Sequence, residues 1–353
     1  MKQTFLILCF FALIQPLFAE KKDWLIDGSP YKTEANLSSD KKQIELTNGL
    51  LRRTFSLTPN GATIALDNLM TGQNELRAVR PEAVLVINGK EYPVGGLEGQ
   101  PVHNFLTKDF LSDMQLCDSA FVLADYTVGE TKERFPWKPN ETWISNKYPW
   151  PAPGKRITFT YKAPRKIADE CKGLTVRIVY ELYDGAPILS KWIEIDNKGQ
   201  KAVTLDSFKS EVLALVETAP KVHYGEPHEV RMMAQEPGHY TKDYRKKPVQ
   251  TDAPRDYIDR FTQLFVVTDY AMGGDMEAMK DNPAVRWVFD HPEYEFTGIR
   301  YYGQYKPARL EVTPLLGPAE KIAPGESFTS CRAFEMLRDA TDRERRGLAE
   351  CRF

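Results

Sequence analysis

The sequence is poor in the signals that mark whole classes of protein. Five cysteines in 353 residues show no C-x-x-C spacing, which removes the usual cysteine-based redox and zinc patterns. Neither charge is in excess: 47 Lys and Arg stand against 49 Asp and Glu. A nucleic-acid scaffold needs a basic excess to meet phosphates, so no nucleic-acid partner is expected. No Gly-rich phosphate loop follows a strand and opens a helix, since Gly95-Gly96 and Gly273-Gly274 lack that context. No G-x-S-x-G elbow is present, which disfavours a serine hydrolase of that type. No segment reaches the ~20 apolar residues of a membrane-spanning helix. Helical periodicity is scarce, and no repeat of fixed length recurs, which speaks against a propeller.

What remains is an ordinary globular composition, 42% hydrophobic and 27% charged. The 16 Tyr, 18 Phe, 22 Gly and 24 Pro lean toward strands and loops rather than long helices. The first residues stand apart. Lys2 precedes the apolar run Phe5–Ile14, the breaker Gln15-Pro16, and Leu17-Phe18-Ala19. That order predicts a secretory signal peptide over 1–19, cleaved near Ala19, and a secreted or periplasmic protein. Cys117, Cys171, Cys331 and Cys351 would remain, forming two bridges or staying free.

The dominant pattern from there on is strand after strand, punctuated by turns. Strands are predicted over 43–47, 51–57, 62–66, 83–87, 91–94, 121–128, 156–161, 174–183, 188–195, 203–208, 212–216, 264–267, 285–289, 310–315 and 328–334. Asn88-Gly89 is the strongest hairpin signal, because both residues tolerate the positive φ of a type I′ turn. In Leu174–Tyr183, Val176, Ile178, Tyr180 and Leu182 fall on one face. A dozen or more short strands predict an all-β fold, a large antiparallel sandwich. Asp339–Glu350 reads as a short C-terminal helix, basic through Arg343, Arg345 and Arg346, with Thr341 and Glu344 as a capping box. The predicted division is 1–19 signal peptide, 20–338 sandwich and 339–353 helix.

Two stretches break the strand rhythm, Gly129–Gly154 and Thr218–Tyr257, and both read as long loops, which often carry function. The first gathers Phe135, Trp137, Trp143, Tyr148 and Trp150. Such rings pack on the C–H faces of sugars while their polar tips take hydroxyl hydrogen bonds, or they seal one end of the sandwich. Trp137, Trp143, Tyr148 and Trp150 are therefore candidate glycan-binding residues. The second loop carries three of the five histidines. His223, Glu226 and His228 could ligate a metal, but Gly225 and Pro227 forbid a metalloprotease helix, and a solvated loop fits better; no metal or cofactor is expected. His228, His239, Tyr240 and Arg245 are the candidate acid/base set if the chain is an enzyme. The acids Asp269, Asp275, Glu277, Asp290, Glu293 and Glu295 crowd one region. Paired carboxylates can hydrolyse a glycoside, but a solvated acidic edge is the simpler reading.

Three segments resemble a known family. Leu174–Asn197, LTVRIVYELYDGAPILSKWIEIDN, resembles the N-terminal β-supersandwich domain of family 36-type, α-galactosidase-like bacterial glycoside hydrolases. Leu46–Ala83 looks like that domain's first strands, and Val266–Gly274 with Gly317–Ala349 is similar to its end. The resemblance implies a galactose-mutarotase-like supersandwich followed, in the family, by a catalytic barrel reached through the Arg-rich helix. No catalytic residue of the barrel has a counterpart here. The expected function is thus a non-catalytic carbohydrate-binding or structural domain of a secreted glycoside hydrolase, with a glycan and a catalytic barrel domain or subunit as partners. The alternative is a stand-alone mutarotase-like epimerase or lyase using the His-rich loop.

Overall fold

Period-two alternation of apolar residues, interrupted every few residues by Gly, Pro, Asn or Asp, builds this molecule almost wholly from antiparallel strands. The computed structural model describes residues 22–100, 106–138, 149–164, 166–215, 242–243, 247–248, 264–269, 284–289, 308–314, 317–340 and 342–352. The strands in chain order are β1 (Glu34–Leu37), β2 (Gln43–Thr47), β3 (Leu51–Ser56), β4 (Ala62–Asn68), β5 (Gln73–Asn74), β6 (Leu76–Ala78), β7 (Ala83–Ile87) and β8 (Lys90–Val94). After a short helix, Lys108–Asp113, come β9 (Val122–Glu130), β10 (Gly154–Lys162), β11 (Leu174–Tyr183), β12 (Ile188–Asn197), β13 (Val203–Lys209) and β14 (Glu211–Leu215). Then follow β15 (Lys242–Asp243), β16 (Lys247–Pro248), β17 (Leu264–Thr268), β18 (Val285–Phe289), β19 (Ala308–Val312), β20 (Glu320–Ile322), β21 (Ser327–Thr329) and β22 (Ala333–Leu337). A C-terminal helix, Arg343–Arg352, completes the described chain.

The largest sheet runs β17-β22-β12-β11-β10-β9, with β21 pairing β12. A five-stranded sheet runs β1 to β5 in order, and two four-stranded sheets run β20-β13-β7-β8 and β18-β19-β14-β6. This is an all-β sandwich with one short C-terminal helix, as the strand pattern predicts. The β7–β8 hairpin turns at Asn88 and Gly89 with φ of 50° and 75°, the two positive values that a type I′ turn demands. Several boundaries differ from the sequence reading. The predicted strand 328–334 is two strands, β21 and β22, and β9 reaches Glu130, so the aromatic loop spans 131–153. The strands β1, β6 and β20 and the helix Lys108–Asp113 were not predicted; all are short, and three to six residues carry too little periodicity to register. The terminal helix starts at Arg343, not Asp339. Asp342 caps it, accepting a hydrogen bond from Arg345 N at 2.8 Å, and Thr341 lies outside the described residues.

The core lies between the large sheet and the other three. Val176, Ile178, Tyr180 and Leu182 of β11 are fully buried, with Phe159 and Tyr161 of β10 and Ile193 and Ile195 of β12 beside them. A second apolar cluster covers the opposite face of the large sheet at one end, where Trp24 and Leu25 pack with Ile188, Met336 and Ala349 of the C-terminal helix. Ion pairs fasten this end: Arg345 binds Asp23 at 2.7 Å and Asp339 at 2.5 Å, and Trp24 Nε1 donates to Asp339 at 3.1 Å. The four cysteines Cys117, Cys171, Cys331 and Cys351 are all free thiols, so packing and not cross-linking holds the sandwich.

The main core is not purely apolar. Arg53 of β3 and Lys191 of β12 meet Glu82, Glu211 and Glu335 in its centre, all at most 2% exposed. Arg53 Nη1 donates to Glu211 at 2.9 Å and to Glu335 at 3.2 Å, and Lys191 Nζ donates to Glu211 at 2.8 Å and to the Glu82 carbonyl at 2.5 Å. Arg53 Nε donates to Thr63 Oγ1 at 3.0 Å, and the Glu82 carboxylate takes the Tyr180 hydroxyl and the Thr63 amide. Two cations face three carboxyl groups, so electroneutrality requires one to hold a proton. Glu335 is that group. Burial, and then the neighbouring Glu211 charge, push it well above the usual carboxylate range. Burial also opposes ionisation of Glu211, but Arg53 and Lys191 outweigh it and hold Glu211 well below that range. The neutral Glu335 carboxyl shares a hydrogen bond with Glu211.

Two predictions follow from this cluster. Arg53→Met leaves buried carboxylates uncompensated and should cost about 3–5 kcal/mol in urea unfolding. The protonated Glu335 loses its contribution as pH rises, because the unfolded chain ionises first and the folded state must hold its proton. Glu335→Gln keeps a neutral donor beside Glu211 without that penalty. Its melting temperature relative to wild type should therefore climb between about pH 5 and about pH 8; a constant difference across that range would show that Glu335 is ionised in the fold.

Candidate functional site

The site is built on the face of the large sheet that points away from the core. Side chains alternate along each strand, so Tyr180 and Lys191 point inward while their neighbours Glu181 and Trp192 point outward. Register places Arg156 of β10 opposite Glu181 of β11, and Glu181 opposite Ser190 of β12. Arg156 reaches Glu181 with Nε at 2.8 Å and Nη2 at 2.6 Å. Arg332, just before β22, approaches the same carboxylate at 3.6 Å. The two guanidinium groups pack on the Trp192 ring, at 5.0 Å for Arg156 and 4.2 Å for Arg332, a cation–π arrangement. Trp192 Nε1 donates to Glu194 at 3.1 Å. Tyr183 donates to Glu181 at 3.2 Å and bonds Ser190 at 2.8 Å, and burial pushes its hydroxyl up to about 12.

The loop 131–153 is fastened to this base by both stems. Thr131 Oγ1 donates to Ala152 O at 2.5 Å, and Lys132 N donates to Glu181 at 3.1 Å. Arg134 forms an ion pair with Asp269, whose other oxygen accepts Arg332 N at 2.6 Å. The aromatic cluster begins at the next residue. Phe135 and Trp137 each lie 5.4 Å from Trp150, with interplanar angles of 41° and 60°. Trp150 Nε1 donates to the Phe135 carbonyl at 3.0 Å, which locks the far stem to the near one. These rings do not seal the sandwich: Phe135, Trp137 and Trp150 are 53%, 38% and 36% exposed. Trp150 in contact with Phe135 on one side and Trp137 on the other, all three open to solvent and flanked in sequence by Lys132, Glu133, Arg134 and Lys138, forms a surface that takes flat apolar faces flanked by hydroxyls.

The other sequence candidates divide cleanly. Trp143 and Tyr148 lie outside the described residues, as do His223, Glu226, His228, His239, Tyr240 and Arg245. Of the acids at 269–295, only Asp269 is described, and it is tied to Arg134 and the Arg332 amide. Among the described residues no cluster of His, Cys, Asp and Glu could hold a metal ion, and no helix is long and apolar enough to cross a membrane. The sequence reading missed Arg156, Glu181, Trp192 and Arg332. The signal available was a strand, Arg156–Tyr161, opening on an arginine, and a partner strand carrying Glu181 between the apolar Tyr180 and Leu182.

No protein-family model and no curated protein matches the chain. Solved structures do. An α-galactosidase of family GH36 from Geobacillus stearothermophilus aligns with 87% of this chain at 11% identity, with a TM-score of 0.39. An α-galactosidase from Lactobacillus brevis aligns with 85% at 10% identity and 0.40, and a TPR-domain containing protein from Parabacteroides distasonis with 84% at 13% and 0.41. The alignment takes in 41%, 40% and 47% of those chains respectively, so this chain spans less than half the length of each structure it resembles.

Proposed function

We propose that this protein is a non-catalytic carbohydrate-binding module of a secreted glycoside-hydrolase system. The observation that carries the reading is the exposed contact cluster of Phe135, Trp137 and Trp150. Burying apolar rings is the default of a folded chain, and three adjacent exposed rings held by their own hydrogen bond point to a ligand that covers them. A sugar ring suits them, because its C–H face stacks on indole while its hydroxyls reach the polar rim. The sequence resemblance of Leu46–Ala83 and Leu174–Asn197 to the front domain of α-galactosidase-like hydrolases supports the same class of ligand. In that setting the module holds substrate for a barrel domain or subunit that performs the cleavage. The signal-peptide pattern of residues 1–19 supports export, with a mature chain opening at Glu20, which intact-mass measurement of the exported protein tests.

Glycan binding is read by tryptophan fluorescence and calorimetry against α-galactosides, pectic oligosaccharides and host glycans. Trp137→Ala or Trp150→Ala should weaken the best ligand by about tenfold, the loss of about 1.4 kcal/mol of stacking. Both variants should keep the wild-type melting temperature within a few degrees, since the rings are exposed. No affinity in wild type for any member of the panel would refute a glycan-binding role.

A further inference from the structure

The base beneath the aromatic cluster holds more positive charge than its own contacts neutralise. Arg156 and Arg332 share one carboxylate, Glu181. Arg156 takes both of its short hydrogen bonds to Glu181 Oε1. Arg332 is left at 3.6 Å from Oε2, beyond hydrogen-bond reach. Among the described residues its Nε has no hydrogen-bond partner, although the residue is only 8% exposed. A buried guanidinium donor without an acceptor is costly, and native structures rarely leave one unpaired. The Trp192 face accepts the charge of Arg332 at 4.2 Å but supplies no hydrogen-bond acceptor. Asp269 meets Arg332 through its backbone amide rather than its guanidinium, and holds Arg134 with its other oxygen.

We propose that Arg332 and Arg156 form an anion subsite of the glycan platform, so that the sugar bound there carries a carboxylate or sulfate group. The proposal rests on the glycan-binding reading and names the chemical class of its ligand. A planar guanidinium presents parallel N–H donors that fit the two oxygens of either group. Connectivity puts the subsite beside the rings. Lys132 N touches Glu181, Arg134 reaches the Ser330 carbonyl at 3.5 Å two residues before Arg332, and Phe135 follows directly. An acidic substituent that extends from a sugar on Trp137 and Trp150 toward the sheet meets the Arg332 guanidinium there. Glu181, held by Arg156, Tyr183 and the Lys132 amide, keeps the two guanidinium groups apart and oriented.

Three ligands of matched length separate the outcomes: an oligogalacturonate carrying carboxylates, a sulfated galactan oligosaccharide carrying sulfates and no uronate, and a neutral galacto-oligosaccharide. At low salt, one of the acidic ligands should bind wild type at least tenfold more tightly than the neutral one. That advantage should shrink as sodium chloride is raised. Arg332→Gln should abolish the advantage while leaving the weak neutral binding in place. Arg156→Lys, which keeps charge but loses the fork, should reduce it, and covers the case in which the first variant folds poorly. Which acidic ligand gains identifies carboxylate or sulfate as the group recognised. If Trp137→Ala weakens all three ligands but wild type binds acidic and neutral sugars alike, the anion subsite is wrong and the aromatic platform stands. If wild type binds none of the three and nothing else on the wider panel, both readings fall.

Discussion

A charged knot at the centre of the sandwich joins sheets across a core that is otherwise built mainly of apolar side chains. Arg53 comes from the five-stranded sheet, Lys191, Tyr180 and Glu335 from the large sheet, Glu211 from the strand β14, and Glu82 from the residue preceding β7. Each of the four main sheets contributes one member or lies next to one. Apolar packing tolerates small slips of one layer over another, whereas directed hydrogen bonds between buried charges do not. The knot therefore fixes the register between layers more than it adds net stability, because burying ions costs much of what their attraction returns. Its neutrality depends on one proton, held by Glu335 between Arg53 and Glu211.

The same strands carry the knot on one face and the floor of the candidate site on the other. Tyr180 and Lys191 point in, and Glu181 and Trp192, one residue along, point out. Fixing the inner face thus fixes the outer one, since a strand cannot rotate one set of side chains without the other. The described stems of the loop, 131–138 and 149–153, are tied to that face through Thr131, Lys132 and Arg134. A binding surface gains from such a base, because less freedom is lost when the ligand arrives.

Much of the fold was legible in the sequence, because long alternating strands such as Leu174–Tyr183 carry their burial pattern in plain view. The knot was also written there, in a subtler form. Arg53 occupies the inward position between Leu51 and Phe55, Lys191 between Leu189 and Ile193, and Glu335 between Ala333 and Leu337, while Glu211 leads Leu213 and Leu215. Each is a charge standing where period two demands an apolar residue. Taken singly such a residue only weakens a strand assignment, and the partners that neutralise it lie up to 282 residues away. The aromatic loop was legible as a cluster of rings, but not its exposure, which depends on the stems at 131–134 and 150–153. The floor of the site escaped for the same reason as the knot. Arg332, Trp192 and Arg156 are distant in sequence, and strand register alone makes them neighbours.

The contact of Asp23 and Trp24 with Asp339 and Arg345 spans more than 310 residues of chain. A polypeptide emerging with its N-terminal end first can form every hairpin of the sandwich in turn, yet it cannot close this end until Arg345 has appeared. Through that interval Trp24 and Leu25 hold an apolar surface whose cover, around Ala349, does not yet exist. A chain interrupted between Leu337 and Arg345 has every described strand, yet leaves Trp24 and Leu25 without the cover of Ala349, an apolar patch open to other chains.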